Sequence, residues 1–309
     1  MGPGVALAWS VQGHMAVGDV AYDLLSRSDP KAVAAIAKLE RNNPDWPRFA
    51  AQLAGVSGPA RDRLLFALMS RWPDDVRGTP YDHPSWHYFL RAILDPRSPS
   101  PVLAHASAAE VGALVAGQAP TAFDLALATV RDASAPASER AISLCWIFHL
   151  VGDIHQPLHT GHLVSADYPL SDDAGGREKV RLRPGGPVIG LHAFWDEAMD
   201  GPGKDWIEAD KLARRLETLS PDPAPMPASA SLEQAFLSWA DESYRLAETD
   251  AYPGLREVGS PNPDRAPVLT PDYVARARKV SERRLALAGR RLAWVIGKAM
   301  NSPMQRLLR

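Results

Sequence analysis

The chain has 309 residues, 46% of them hydrophobic, which is enough to build a sizeable core. Its net charge of −2 excludes bulk electrostatic attraction to nucleic acid or anionic membranes, so any attraction of an anionic substrate must be local. The single cysteine, Cys145, excludes an intrachain disulfide and a cysteine-type zinc site, and no apolar run of about 18 residues or more predicts a membrane span.

Residues 1–8 predict the remnant of an export signal. Ala6-Leu7-Ala8 has the small-x-small form of a signal-peptidase site, although a basic n-region is missing and the apolar run is short. A tail without function is the alternative. We therefore expect a clipped signal in residues 1–8, a single domain over residues 9–309, and a secreted or periplasmic protein.

Apolar residues recur at helical spacing along most of the chain, and proline or glycine clusters separate the segments. The predicted helices cover residues 9–26, 31–41, 59–70, 106–131 (interrupted near Pro120), 137–158, 191–199, 206–219, 232–249 and 271–300. Lys179–Arg183 alternates like a short strand, and Pro184–Pro187 reads as a turn, which predicts a small β-hairpin near 178–189. The expected fold is all-α, a single helical domain with this one hairpin.

Three potential metal ligands lie within the stretch from His149 to His159. His149 and Asp153 are four residues apart and share one helix face. Pro157 predicts a break in the helix, which places His159 beyond it. One histidine on an apolar helix face is usually a hydrogen-bonded core residue. The carboxylate one turn later and the histidine past the break favour a metal site instead.

Further ligand-type residues lie elsewhere in the chain, and His192 and Asp196 repeat the four-residue spacing. Imidazole and carboxylate ligands without thiolate suit zinc or another borderline divalent ion. Eight side chains exceed one tetrahedral zinc and suit two or three ions with a bridging carboxylate, an arrangement typical of phosphoester hydrolysis. The eight side chains, in which Asp75 is the rival of Asp74, are His14, Asp74, His87, His149, Asp153, His159, His192 and Asp196, and the candidate set also includes Trp9.

Two further residues are candidates for substrate contact. Arg77 follows Asp74 by three residues, and a guanidinium there would bind phosphate oxygens with fork geometry; a surface salt bridge is the alternative. Tyr88 follows His87 and is the candidate for stacking on a base, against the alternative of a core residue. We assign Asp74 and Arg77 as candidate catalytic residues, and Arg77 and Tyr88 as candidate substrate-binding residues.

Taken in order, these motifs resemble the zinc-dependent single-strand nucleases of the S-one/P-one type, also called type I or mung-bean-type nucleases. This family shares its fold with zinc phospholipase C. The resemblance extends from Trp9 to about Asn301. It is carried by Trp9-Ser-Val-Gln-Gly-His14, Trp72-Pro-Asp74-Asp-Val-Arg77, Trp86-His87-Tyr88, His149-Leu-Val-Gly-Asp153 through His159, Gly175-Gly176, and Leu191-His192-Ala-Phe-Trp195-Asp196.

The resemblance implies three zinc ions in a helical fold. It implies cleavage of single-stranded DNA and RNA to 5′-phosphorylated products by a metal-activated water, often with removal of 3′-phosphates from nucleotides. No obligate protein partner is evident. By this analogy one zinc is held by Asp74, His87, His149 and Asp153, a second by His159, His192 and Asp196, and a third by the backbone amine and carbonyl of Trp9 with His14 and the bridging Asp153. An amine ligates only when it is free, so residues 1–8 should be removed in the active protein.

Some positions depart from the family pattern, and two other functions are open. Leu90 stands where the family commonly has Asp or Asn, which leaves base preference open. In the related phospholipases the first Trp-to-His spacing is longer and the last carboxylate is usually Glu, whereas this chain has five residues from Trp9 to His14 and ends the set with Asp196. A non-catalytic helical metal-binding protein would explain the His and Asp clusters but not Arg77.

Overall fold

The computed structural model describes residues 9–170, 175–219 and 231–300, and the expectation for residues 1–8 lies outside them. The described residues are mainly helical, as the sequence predicts. The helices are α1 Val11–Ser28, α2 Pro30–Glu40, α3 Trp46–Gln52, α4 Gly58–Asp75, α5 Ala108–Gly112, α6 Ala119–Arg131, α7 Ala137–Asp153, α8 Leu191–Asp196, α9 Asp205–Thr218, α10 Leu232–Leu246 and α11 Pro271–Met300.

Two small sheets accompany the helices. Strands β1 (Leu90–Leu94), β2 (Val115–Ala116) and β3 (Gly161–Val164) form a sheet in the order β2-β1-β3, with β1 antiparallel to β2 and parallel to β3. Strands β4 (Lys179–Val180) and β5 (Ile189–Gly190) pair antiparallel. The predicted hairpin is therefore confirmed with shorter strands, whereas the three-stranded sheet was not predicted.

Helix α1 packs closely against α4, α9 and α11. Two glycines allow this approach: a Cβ on Gly18 would lie 2.4 Å from the Phe66 carbonyl oxygen of α4, and one on Gly289 of α11 would lie 2.6 Å from Val20 Cβ. Contacts this short leave no room for any other side chain. The middle of α1 is therefore held close to α4, the helix whose last turn contains Asp74.

Some predicted boundaries were wrong. Helix α4 continues through Pro73 to Asp75 instead of ending at Ser70, although Pro73 removes one backbone hydrogen bond of the helix. Helix α7 ends at Asp153, five residues before the predicted end, and a 3₁₀ turn at Pro157–His159 follows. The predicted helix 106–131 divides into α5, β2 and α6.

A second part of the core lies under the small sheets. Ile93 and Leu163 from the three-stranded sheet pack with Trp195 of α8 and Tyr273 of α11, while the larger core lies between α1, α4, α6, α7, α9, α10 and α11. Within the three described ranges, no helix is long and apolar enough to cross a membrane.

Candidate metal centre

Three groups of histidine and aspartate side chains converge at the ends of α1, α4, α7 and α8. In each group the possible ligand atoms lie within 4.8 Å of one another. The groups are His14, Asp74 and His149; His87, His149 and Asp153; and His159, His192 and Asp196. All of these side chains are buried except Asp74, which is partly exposed, so ions bound here would be largely shielded from water.

Asp153, in the last turn of α7, lies between the first two groups. One carboxylate oxygen, Oδ1, is 3.2 Å from Nε2 of His14. The other, Oδ2, is 3.2 Å from Nδ1 of His87 and 3.1 Å from Nε2 of His149. Asp74 lies farther out, 3.9–4.0 Å from ring nitrogens of the same three histidines. The two oxygens of Asp153 thus face different groups, which is the geometry that a bridging carboxylate needs.

The third group, His159, His192 and Asp196, begins in the 3₁₀ turn that follows α7. Nε2 of His159 is 3.2 Å from Nε2 of His192, which is 3.4 Å from Oδ2 of Asp196. His192 and Asp196 share one face of α8 because they are four residues apart. The amide of Gln156 donates to Oδ1 of Asp196 over 2.7 Å, which leaves Oδ2 directed at the histidine.

Backbone carbonyls orient three of the imidazoles. Nδ1 of His149 donates to the Ser70 carbonyl over 2.8 Å, Nδ1 of His159 to the His87 carbonyl over 2.6 Å, and Nδ1 of His192 to the Gly175 carbonyl over 2.5 Å. A proton held on Nδ1 leaves the Nε2 lone pair free to bind a metal. Gly175 has φ +77°, and a Cβ there would lie 2.3 Å from the Leu158 carbonyl oxygen.

The ligand groups are incompletely satisfied by the protein alone. Within the described chain, Nε2 of His14 and Oδ1 of Asp153 are buried and face each other over 3.2 Å, but neither makes a hydrogen bond of acceptable angle. Burial also raises the pKa of Asp196 well above its ordinary value. Burial, with His149 nearby, lowers the pKa of His14 to about 4, so the imidazole is neutral. The buried neutral imidazole of His14, facing the buried carboxylate of Asp153, fits a bound divalent ion.

A family comparison agrees with this geometry. The family model described as S1/P1 nuclease matches residues 9–301. The chain belongs to the S1/P1 nuclease family. No curated protein matches the chain significantly. Because this family is metal-dependent and consists of nucleases, the protein is a hydrolase whose substrate class is nucleic acid, and its buried histidine and aspartate groups could hold the metal.

The two residues proposed for catalysis lie together at the exposed edge of the S1/P1 nuclease site. Arg77 contacts Oδ1 of Asp74 through Nη2 at 2.6 Å and Nε at 3.2 Å. Their side chains are 20% and 15% exposed, so a substrate can approach them. The rival Asp75 faces away and pairs with Arg71 at 2.6 Å, so Asp74 is the neighbour that the structure directs into the site.

Trp9 lies next to the same groups, and Tyr88 follows the candidate ligand His87 in the chain. Trp9 is buried between the ends of α7 and α8: its indole N–H donates to the Gly152 carbonyl over 2.9 Å, and the following Ser10 N–H donates to the Asp196 carbonyl over 3.2 Å. Tyr88 is half-buried directly after His87, and its carbonyl accepts from Ala119 N–H over 3.1 Å. Gln156, whose amide orients Asp196, was not predicted from the sequence; the Gln156-Pro157 pair between Asp153 and His159 was its only sequence signal.

Proposed function

We propose that the protein is a zinc-dependent phosphodiesterase that cleaves single-stranded DNA or RNA to 5′-phosphorylated products and also acts as a 3′-nucleotidase. The observation that carries this proposal is the position of Asp153, whose two oxygens face separate histidine groups beside Arg77 and Asp74. A purely structural metal site has no need of a bridged, partly exposed cluster next to a guanidinium.

Zinc is proposed because the donors are imidazole and carboxylate groups. Asp74, His87, His149 and Asp153 would hold one ion, and His159, His192 and Asp196 would hold another. His14 and Asp153, with the backbone of Trp9, would hold the third. Zinc in such a cluster supplies Lewis acidity and lowers the pKa of a water molecule.

The protein's own residues would bind and orient the phosphate. Arg77 can donate from two nitrogens, and its present acceptor, Asp74, is itself a proposed ligand. Asp74 would hold a metal ion, and Arg77 would then offer its fork to a non-bridging phosphate oxygen and stabilise the charge that develops there. Tyr88 would stack on the neighbouring base, a contact that every base can make.

Trp9 can serve as an amine ligand only if residues 1–8 are removed, and we propose that export and cleavage do this. A protein that starts at Trp9 should hold one more zinc ion per chain than a protein that keeps residues 1–8, because an amide nitrogen is a poor ligand. Elemental analysis of both forms tests the assignment, and equal zinc counts would contradict it.

The activity itself is tested with the zinc-loaded protein that starts at Trp9. Single-stranded DNA, 3′-AMP and phosphatidylcholine are offered separately, and a duplex of the same DNA is the control. We expect cleavage of the single strand to 5′-phosphorylated ends, release of phosphate from 3′-AMP, and loss of both activities with a chelator. Cleavage of phosphatidylcholine alone would favour the phospholipase alternative, and inactivity of a zinc-replete protein would favour the non-catalytic one.

A further inference from the structure

A short segment of chain connects the two sides of the proposed metal centre. Helix α7 ends at Asp153, and the next ligand, His159, closes the 3₁₀ turn Pro157–His159. The linking residues Ile154–Gln156 are buried. Their position determines how far His159 lies from Asp153, so whatever holds this segment also sets the spacing of the metal ligands. The inference below rests on the proposed metal centre.

Side chains from α10 and α11 hold this segment on the side away from the ligands. Ser243 donates its hydroxyl to the Ile154 carbonyl over 2.6 Å, and Nε of Arg284 donates to the His155 carbonyl over 3.2 Å. These carbonyls follow the last turn of α7, where the helix itself offers them no partner.

The ring of His155 is also held at both nitrogens. Nδ1 donates to the Val151 carbonyl over 2.7 Å, so the neutral ring accepts at Nε2 from Nη1 of Arg291 over 2.8 Å. His155 is therefore not a metal ligand. It serves as an anchor by which α11 holds the end of α7.

One carboxylate fixes the two arginines. The two carboxylate oxygens of Glu242 accept hydrogen bonds from Arg291 over 2.6 and 2.8 Å. One of these oxygens also accepts from Nη1 of Arg284 over 2.7 Å. Arg284 also donates to the Ser243 hydroxyl over 2.8 Å. Each arginine is only 3% exposed. We call Glu242, Ser243, Arg284 and Arg291 the α10–α11 clamp; planar, bidentate contacts of this kind permit little freedom of position.

The segment Ile154–Gln156 connects the α10–α11 clamp to the proposed ligand Asp196. Gln156 directly follows His155. Its side-chain Nε2 donates to Oδ1 of Asp196, while its side-chain oxygen Oε1 accepts from Leu158 N–H over 2.5 Å. We propose that the α10–α11 clamp is a positioning device for the metal centre: by holding Ile154–Gln156 it places His159 and Asp196 for the ion that they share with His192.

The test compares two substitutions four residues apart on α11. Arg291→Lys keeps a positive charge for Glu242 but cannot bond both Glu242 oxygens and His155 in one plane. Val295→Ala is the matched control, because Val295 is fully buried and has no place in the clamp. Zinc per chain is measured at equilibrium with a competing chelator, cobalt-substituted protein is followed by its visible absorption, and the melting temperature is measured for both variants.

We expect Arg291→Lys to bind one metal equivalent about tenfold more weakly than the wild type, a loss of affinity that is usual when a residue that orients a metal ligand is changed. The visible absorption of the cobalt-substituted variant should also differ from that of the wild type. Val295→Ala should lower the melting temperature while its metal affinities stay unchanged. Wild-type affinity in Arg291→Lys, or equal metal loss in both variants, would overturn the inference. If Arg291→Lys does not fold, Glu242→Gln is measured in its place under the same criteria. A wild-type protein that binds no metal would instead contradict the proposed function.

Discussion

The substitution Gly152→Ala tests whether His14 is held in a functional position. Gly152 is the residue before Asp153 in α7, and a Cβ there would lie 2.9 Å from Nδ1 and 3.0 Å from Cε1 of His14. The His14 ring must move by about 0.5 Å to restore ordinary contact. This displacement is as large as the positional error that a preorganised site tolerates in its functional groups. It cannot retreat freely, because it stacks on the His149 ring with centroids 4.0 Å apart. Overpacking of this kind costs about 1–3 kcal/mol.

The chain offers a matched control. Gly297 also lies near the end of a helix, α11, but a Cβ there would meet no atom within 4 Å. Gly297→Ala should therefore raise the free energy of unfolding by about 0.5–1 kcal/mol through reduced backbone entropy. Zinc per chain and the rate of single-strand cleavage are measured for both variants. We expect Gly152→Ala to lose bound zinc and to cleave at least tenfold more slowly, because small displacements of catalytic groups cause rate losses of this size or larger. Gly297→Ala should keep its zinc and its cleavage rate. Unchanged zinc and rate in Gly152→Ala would refute the reasoning.

Three further substitutions test other parts of the account. Asp153→Asn should remove two of the three zinc ions, because the carboxylate faces both histidine groups, and an undiminished zinc count by elemental analysis would refute the bridging role. Arg77→Ala should lower kcat by about 10²–10³-fold at constant zinc content, the usual cost of losing a donor to developing charge; equal activity would remove Arg77 from the mechanism. Burial raises the pKa of Glu40 from 4.5 to about 8, so the folded protein holds one more proton than the unfolded chain in that interval and loses stability as the pH rises through it. Glu40→Gln should remove this loss of stability. The urea midpoints of the variant and the wild type are compared at pH 5 and pH 8, and an equal change between the two pH values in both proteins would contradict the prediction.

The helices were predictable where the local pattern decided them. The predicted helix 271–300 matches α11, and His149 and Asp153 lie in α7 as predicted. Strand β1 was missed because its partner β3 lies about 70 residues away in the chain, and its burial does not alternate regularly. Strands whose pairing is distant leave a weak local signal.

The candidate site was predictable at the level of spacing. The four-residue spacing within His149/Asp153 and His192/Asp196 placed each pair on one helix face. In the structure the histidine and the aspartate of each pair are in contact. Spacing could not show which of Asp74 and Asp75 points inward, because that depends on where α4 ends. Nor could it show the contacts from the Ser70 and Gly175 carbonyls, because every residue has a carbonyl.

Diffraction at the zinc absorption edge, on crystals of the protein that starts at Trp9, locates the proposed zinc ions. We expect three anomalous peaks. Two would flank the Asp153 carboxylate, one on the His14 side and one on the side of His87 and His149, and the third would lie between His159, His192 and Asp196. A zinc-replete crystal with a single peak, or with peaks away from Asp153, would contradict the account.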